Sequence, residues 1–216
     1  MKTGENRVRG GDGRAKFRAI VLDYGAVLCH QPSPHEIERL AGVFSVTSEE
    51  FPLLYAGPRS AYDRGDLTTP EYWTEVARCA GVDLDRDVIE NLSNWDKEMW
   101  SHVNTEMTDW LSAVRAAGYQ TALLSNMQFD MIAHVRRHFA WLRNFDHQIF
   151  SAEVGAVKPE RAIYLLCLDR LGARPSETLF IDDREENVAA ARGLGIESFH
   201  FRSAPELRRE LAYLLP

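Results

Sequence analysis

Short apolar runs separated by helix-like patterns dominate the sequence from residue 17 onward. Runs with few polar interruptions are typical of strands that are covered on both faces of a parallel sheet. Segments with apolar residues at helical spacing lie among them, at 108–118, 159–172 and 184–195. Strands that alternate with helices predict a parallel sheet with right-handed crossovers, and hence an α/β fold. The predicted strands are 17–22, 121–125, 147–151, 178–182 and 197–201.

Residues 31–104 break this rhythm, because no strand-like run occurs there. Four segments are typical of helices, and Ser48, Thr69 and Asp85 are candidate N-caps. We therefore expect a core formed by 17–30 and 105–216, interrupted by an all-helical insertion at 31–104. Residues 1–16 are polar and glycine-rich, which predicts a flexible tail. The four predicted helices are 34–44, 48–57, 69–81 and 85–100.

The overall charge and the cysteine content exclude several classes of protein. A net charge of −7 and a pI near 5.5 argue against a nucleic-acid partner. The sequence has no apolar run long enough to predict a membrane span and no apolar signal segment near residue 1. Cys29, Cys79 and Cys167 are odd in number and far apart, so they predict neither a zinc site nor a disulfide framework. We expect a cytoplasmic monomer or homodimer.

Polar residues of distinctive chemistry follow the predicted strands. In open parallel sheets ligands bind beyond the carboxyl ends of the strands, so these side chains are expected to converge on one crevice. The residue before a proline favours extended backbone, which should direct Lys158 away from the helix that follows. Each residue alone is more often a turn residue, a helix cap or a solvated side chain. The combination is more specific, and in chain order it comprises Asp23, Ser125, Asn126, Lys158, Asp182 and Asp183.

Four motifs carry a resemblance to a known family. "LDYGAVL", "LLSN", the lysine of "GAVKPE" and "FIDDREEN" resemble the motifs of the haloacid dehalogenase-like (HAD) hydrolase superfamily. The resemblance covers about residues 17–201. It implies a Rossmann-like core with a small helical cap domain inserted between the first two motifs, here at 31–104. It also implies a magnesium-dependent phosphatase that hydrolyses phosphoric monoesters.

The same resemblance implies a role for each residue of the crevice. Asp23 would be the nucleophile that forms an aspartyl-phosphate, assisted by Ser125 and Lys158. Mg²⁺ would offset the repulsion between that carboxylate and a phosphate dianion. Its ligands would be Asp23, the backbone carbonyl of Gly25, Asp182 and Asp183. The phosphoryl oxygens would be held by Ser125, Asn126 and Lys158, and Asn187 would orient the acids.

The chain departs from the phosphatase pattern at Gly25, where typical members have a second aspartate. That aspartate protonates the leaving oxygen and then activates water, a contribution of roughly 10²–10⁴-fold that glycine cannot make. Glycine is expected here because the turn brings the backbone close to the ligand. His30 and His35 are candidate replacements for the missing acid, although both are equally explained as loop residues.

Under the helical cap we expect a small phosphorylated metabolite of the sugar phosphate class, because a closing cap excludes water from a small cleft. Tyr55, Arg59, Tyr62 and Arg64 are candidates for facing this substrate. A 2-haloacid dehalogenase is an alternative, although that branch has an aromatic residue at the position of Gly25 and lacks the consecutive acids. A non-catalytic binding or regulatory protein is a further alternative.

Overall fold

The computed structural model describes residues 17–215, so the predicted tail at 1–16 lies outside the described residues. The strands form one sheet in the order β3-β2-β1-β4-β5, and every neighbouring pair is parallel. This arrangement confirms the predicted α/β fold with a Rossmann-like parallel sheet. The strands are β1 (Ala19–Leu22), β2 (Gln120–Ser125), β3 (His147–Phe150), β4 (Thr178–Asp182) and β5 (Glu197–His200).

The central strand β1 is apolar throughout because both faces of the sheet are covered. All four of its residues are buried. Ile20 and Leu22 enter one apolar cluster, whereas Ala19 and Val21 enter another on the opposite face. Leu22 is in register with Leu123 of β2 and with Ile181 of β4, so the three strands end at the same edge.

Six helices accompany the strands of the core in residues 105–215. Helices α6 and α7 cover the face of the sheet that carries Leu22, and they contribute Leu111 and Ile132 to the same apolar cluster. On the second face α9 contributes Ile163 and α10 contributes Ala191. Helix α7 is not among the predicted helices, although it is a regular helix in the structure. The bounds are α6 (Thr105–Ala116), α7 (Phe129–His138), α8 (Ser151–Val154), α9 (Arg161–Leu171), α10 (Glu185–Gly193) and α11 (Ala204–Glu210).

Residues 31–104, here called the helical insertion, contain five helices within the described chain rather than the predicted four. They pack around an apolar cluster of their own that includes Leu40, Phe51, Trp73 and Leu92. The additional helix, α3, is one and a half turns long and is too short to stand out as a periodic pattern. The helices are α1 (Pro34–Val43), α2 (Phe51–Ala56), α3 (Arg59–Arg64), α4 (Thr69–Ala80) and α5 (Arg86–Met99).

The N-caps of the insertion differ in part from those that were predicted. Asp85 caps α5 as expected, since its side chain accepts a hydrogen bond from the Val88 N–H at 2.8 Å. The prediction of Thr69 was wrong by one residue, because Thr68 is the N-cap of α4. The prediction of Ser48 was wrong as well, because α2 begins at Phe51 without a side-chain cap.

Two antiparallel segments connect the helical insertion to the core. Cys29 and Val103 form a β-bridge, the His30 N–H donates to the His102 carbonyl at 2.7 Å, and the Asn104 N–H donates to the Leu28 carbonyl at 2.9 Å. Entry to and exit from the insertion therefore lie side by side. Within residues 17–215 no helix is both long enough and apolar enough to cross a bilayer.

Candidate active site

The carboxyl ends of β1, β2 and β4 open into a cavity of about 260 Å³. Its floor is built by the core and its roof by the helical insertion. The predicted residues that line it are Asp23, Gly25, Ser125, Asn126, Lys158, Asp183 and Asn187. The roof consists of Tyr55, Ala56, Arg59, Asp63 and Trp100. Sequence motifs that lie far apart along the chain thus converge on one site.

Lys158 connects two carboxylates at the floor of the cavity. Its Nζ lies 2.8 Å from Asp23 Oδ1 and 2.6 Å from Asp182 Oδ2, and only 1% of its side chain is exposed. Burial disfavours the ammonium form, but the carboxylates of Asp182 and Asp23 outweigh it and raise the pKa of Lys158. The side chain is therefore a fixed positive charge.

Asp23 presents one free oxygen to the cavity. Its Oδ1 accepts hydrogen bonds from Lys158 and from the Tyr24 N–H, the latter at 2.7 Å, whereas Oδ2 accepts none from the described residues. Burial raises the pKa of Asp23 to about 7, against the lowering effect of Lys158 and with further raising by Asp182 and Asp183. Oδ2 is thus the oxygen available to a ligand.

Asp182 is wholly buried and fully engaged with protein donors. Its Oδ2 faces Lys158, and its Oδ1 accepts from the Arg184 N–H and from Asn187 Nδ2, each at 2.9 Å. Asn187 therefore contacts the acid directly, through a side chain on the first turns of α10. These contacts hold Asp182 and Lys158 in one orientation.

The three acids of the site suit a divalent cation. Carboxylate oxygens of Asp23, Asp182 and Asp183 lie within 4.8 Å of one another. Burial raises the pKa of Asp183, and the neighbouring Asp182 adds to this effect. Three carboxylates face the single ammonium group of Lys158, so the cluster carries an excess of negative charge. Hard oxygen donors with excess negative charge are the environment that Mg²⁺ prefers.

Ser125 and Asn126 follow β2 but contact different groups. Ser125 is 2% exposed, and its hydroxyl makes no hydrogen bond with the described residues, so it is free to donate into the cavity. Asn126 instead engages the backbone of Lys158, whose N–H donates to Asn126 Oδ1 at 2.7 Å. The amide of Asn126 therefore fixes the segment that carries the lysine.

The conformation of the turn does not require glycine at position 25, whereas a close approach of Gly25 to the ligand stays a prediction. The residue with positive φ in this turn is Ala26, at 54°. A Cβ built on Gly25 would meet only Trp100 Cζ3, at an ordinary contact distance of 3.8 Å. His30 and His35, both among the described residues, are exposed and lie outside the cavity lining, so the structure gives no support to either as a replacement for the missing acid.

Two of the four residues expected to face the substrate lie at the cavity. Tyr55 and Arg59 line the cavity. Tyr62 instead stacks on Tyr72, and Arg64 forms an ion pair with Glu160 of the core. Sequence reasoning did not single out Asp63, Trp100, Met127, Met131 and Arg184, which also line the cavity.

A recognisable signal existed for only one of these additional residues. Asp63 lies four positions after Arg59, the spacing at which opposite charges pair on a helix.

Comparison with known proteins agrees with the fold and the site. A family model of haloacid dehalogenase-like hydrolases matches residues 16–195. The chain therefore belongs to the haloacid dehalogenase-like hydrolase family.

The curated relatives have diverse activities. The chain is 28% identical over 213 residues to acyl-CoA dehydrogenase family member 10 of Mus musculus, covering 94% of this chain and 20% of that protein. It is 26% identical over 207 residues to a D-ribitol-5-phosphate phosphatase of Bacteroides thetaiotaomicron, covering 92% and 98%. It is 32% identical over 88 residues to (S)-2-haloacid dehalogenase 1 of a Pseudomonas strain, covering 41% and 39%. The chain thus spans about a fifth of the first of these relatives.

Solved structures share the fold over most of the chain. A HAD-like hydrolase from Porphyromonas gingivalis superposes with a TM-score of 0.75 at 26% identity, covering 93% of this chain and 98% of the other. A HAD family enzyme from Bacteroides thetaiotaomicron, in complex with magnesium and inorganic phosphate, superposes with a TM-score of 0.70 at 24% identity, covering 86% and 94%.

Proposed function

We propose that this hydrolase is a magnesium-dependent phosphatase that acts on a small phosphorylated metabolite through an aspartyl-phosphate. The observation that supports it best is the ion-pair geometry at Lys158, which holds Asp23 with Oδ2 free beside two further acids. A free, oriented carboxylate oxygen is suited to nucleophilic attack on phosphorus. The D-ribitol-5-phosphate phosphatase among the relatives agrees with this reaction class.

In the proposed reaction the residues of the floor have separate tasks. Asp23 Oδ2 attacks phosphorus while Lys158 and the hydroxyl of Ser125 donate to the phosphoryl oxygens. Because Lys158 is already fixed by Asp182, its charge is oriented before the substrate arrives. The hydrogen bond between Asn126 and the Lys158 backbone keeps the lysine in place.

Mg²⁺ would be held by Asp23, the backbone carbonyl of Gly25 and Asp183. When bound there it would offset the repulsion between the nucleophile and the phosphate. We assign Asp182 mainly to the orientation of Lys158, because both its oxygens already accept from protein donors. Release of Asp182 from these donors would be needed before it could act as a ligand.

The roof of the cavity favours a small organic group beside the phosphate. The rings of Tyr55 and Trp100 and the side chains of Met127 and Met131 offer apolar contacts, while Arg59 adds a charged group. A cavity of about 260 Å³ admits a small metabolite and excludes a folded macromolecule. A sugar phosphate remains our proposed substrate class.

Turnover of 4-nitrophenyl phosphate with and without Mg²⁺ tests this function. We expect magnesium-dependent phosphate release that falls about 10³-fold or more in Asp23→Asn, because the nucleophile is lost. Asp169→Asn is the matched control, since Asp169 is exposed on α9 and is not among the residues that line the cavity. Release of halide from a 2-halo acid, without phosphate release, would support a dehalogenase instead. Absence of both activities would favour a binding protein.

A further inference from the structure

A carboxylate from the helical insertion shares the cavity with Asp23. Asp63 lies on α3, lines the cavity, and has a side chain that is only 10% exposed. Its Oδ1 accepts a hydrogen bond from Arg59 Nε at 2.9 Å. Its Oδ2 accepts no hydrogen bond from the described residues. One oxygen of Asp63 is therefore available to a molecule bound in the cavity.

The backbone of Asp63 is tied to the loop that carries Ser125. Ser151 Oγ donates to the Asp63 carbonyl oxygen at 2.5 Å and accepts from the Met127 N–H at 2.8 Å. Met127 is only two residues beyond Ser125, whose hydroxyl faces the phosphate position proposed above. A single buried hydroxyl thus links Asp63 to the phosphate-binding loop, which keeps the roof carboxylate close to the floor.

The charges around Asp63 favour a proton on its carboxyl group. Arg59 faces two buried carboxylates, Asp63 and Asp96, and one cation cannot neutralise both. Asp96 also accepts from Tyr55 Oη at 2.5 Å and from Gln128 Nε2 at 3.3 Å, whereas within residues 17–215 the carboxylate of Asp63 accepts a hydrogen bond only from Arg59. The excess negative charge is therefore least stabilised at Asp63.

The pKa of Asp63 agrees with this charge count. Burial raises the pKa of Asp63, Arg59 lowers it, and the negative charge of Asp96 raises it further, while Arg184 on the core side has a smaller lowering effect. The balance is a raised pKa, which favours the protonated form that a general acid requires.

We propose that Asp63 is the general acid and base of the reaction, in place of the carboxyl group that position 25 lacks. This inference rests on the proposed phosphatase function. As Asp23 Oδ2 bonds to phosphorus and the ester P–O bond breaks, the proton on Asp63 Oδ2 passes to the leaving oxygen, which departs as the alcohol. The Asp63 carboxylate then accepts a proton from water while the water oxygen bonds to phosphorus and the bond to Asp23 breaks.

Two aryl phosphates with different leaving groups test the proposal. Phenol is a poorer leaving group than 4-nitrophenol, so phenyl phosphate depends more on protonation of its leaving oxygen. In Asp63→Asn we expect kcat/KM to fall about 10²-fold or more for phenyl phosphate and about tenfold or less for 4-nitrophenyl phosphate. Asp96→Asn is the matched control. It removes the other carboxylate that faces Arg59, and Asp96 is not among the residues that line the cavity.

The outcomes separate this inference from the proposed function. Equal loss on both esters in Asp63→Asn, matched by Asp96→Asn, would show a structural role and overturn the inference while leaving the phosphatase intact. Absence of turnover by the wild-type protein would overturn both. Circular dichroism and the thermal midpoint check folding. Asp63→Glu keeps both the carboxyl group and the charge opposite Arg59 and serves as a second variant, for which we expect recovery of part of the phenyl phosphate activity that Asp63→Asn loses. A selective loss on phenyl phosphate as large as in Asp63→Asn would overturn the inference.

Discussion

The side-chain amide of Asn126 is hydrogen bonded to both backbone polar groups of Lys158. The Lys158 N–H donates to Asn126 Oδ1 at 2.7 Å, and Asn126 Nδ2 donates to the Lys158 carbonyl at 2.9 Å. The loop after β2 and the segment before α9 are thereby joined at the point where the lysine enters the cavity. The position of the ammonium group therefore depends on a residue 32 positions earlier in the chain.

Removal of this amide should displace Lys158. For Asn126→Ala we expect kcat/KM for 4-nitrophenyl phosphate to fall about tenfold to 10²-fold, because a small misplacement of a catalytic group has effects of this size. Asn91→Ala, at an exposed position of α5, is the control and should retain full activity. Unchanged activity in Asn126→Ala would show that Lys158 is held by its ion pairs alone.

Lys158→Met should destabilise the fold, because it leaves Asp182 charged and buried without its partner. The expected loss in free energy of unfolding is about 3–5 kcal/mol at pH 7, the usual effect of breaking a buried ion pair. Urea denaturation measures it. The double variant Lys158→Met/Asp182→Asn should recover part of the loss, since the uncompensated charge is removed as well. A loss below about 1 kcal/mol, typical of a surface pair, would contradict the expectation.

Magnesium should stabilise the protein more at alkaline than at acidic pH. The pKa of Asp23 is raised from 3.8 to about 7 in the folded chain, so the metal-free fold binds a proton that the unfolded chain does not. The resulting stability is fully present below pH 4 and is lost as the pH rises through about 7. Above that pH the carboxylate is ionised and ready for the cation.

Thermal midpoints with and without Mg²⁺ at pH 5.5 and pH 8 give the measurement. We expect a large upward shift with Mg²⁺ at pH 8 and a small one at pH 5.5. Asp183→Asn should reduce the shift at pH 8, whereas the exposed Asp169→Asn should leave it intact. Shifts of equal size at both pH values would mean that ionisation of Asp23 does not control the binding of Mg²⁺.

Glu36 should stabilise the connection between the core and the helical insertion. Burial alone would raise the pKa of Glu36, but hydrogen bonds from His102 and Ser33 lower it to about 2. This stability is present above pH 4.5 and is lost as the pH falls toward 2. Glu36→Gln should cost roughly 1–2 kcal/mol in free energy of unfolding at pH 7.

Glu71 provides a matched control for Glu36. It makes the same capping contacts with Thr68 at the start of α4 and is fully exposed, and no histidine contacts it. Urea denaturation of both glutamine variants at pH 7 therefore compares a capping glutamate that is buried against His102 with one that is exposed. Equal losses in the two variants would mean that the His102 contact adds nothing.

An aspartate at position 25 should replace the proposed acid. In an Asp63→Asn background, Gly25→Asp should raise kcat/KM for phenyl phosphate by about tenfold to 10²-fold, because a carboxyl group is returned beside the leaving oxygen. The backbone permits the change, since Gly25 has no positive φ and a Cβ there meets only Trp100. Gly25→Ala in the same background adds the Cβ without the acid, and a gain of equal size there would contradict the explanation.

The strands and the candidate nucleophile were predictable because the burial of a strand is visible in the apolar character of consecutive residues. The run that ends at Leu22 is apolar at every position, since both faces of β1 are covered, and Asp23 is the first polar residue beyond it. The same argument predicts β2, which ends at Ser125, and β4, which ends at Asp182 and is followed by Asp183. In the helical insertion the structure contains the four predicted helices. It also contains α3, which was not predicted because six residues carry too little periodicity.

The sequence by itself determined the parallel sheet and the set of polar groups at its carboxyl edge, because strand burial and strand ends depend on near neighbours along the chain. Only the tertiary structure decided which of those groups meet. It paired Asn126 with the Lys158 backbone, engaged both carboxylate oxygens of Asp182 in hydrogen bonds, and brought Asp63 and Trp100 to the cavity. The contacts of Lys158 with Asn126 and with Asp182 join residues that are distant in the chain, and the folding of the core sets them. The packing of the insertion on the core sets the positions of Asp63 and Trp100.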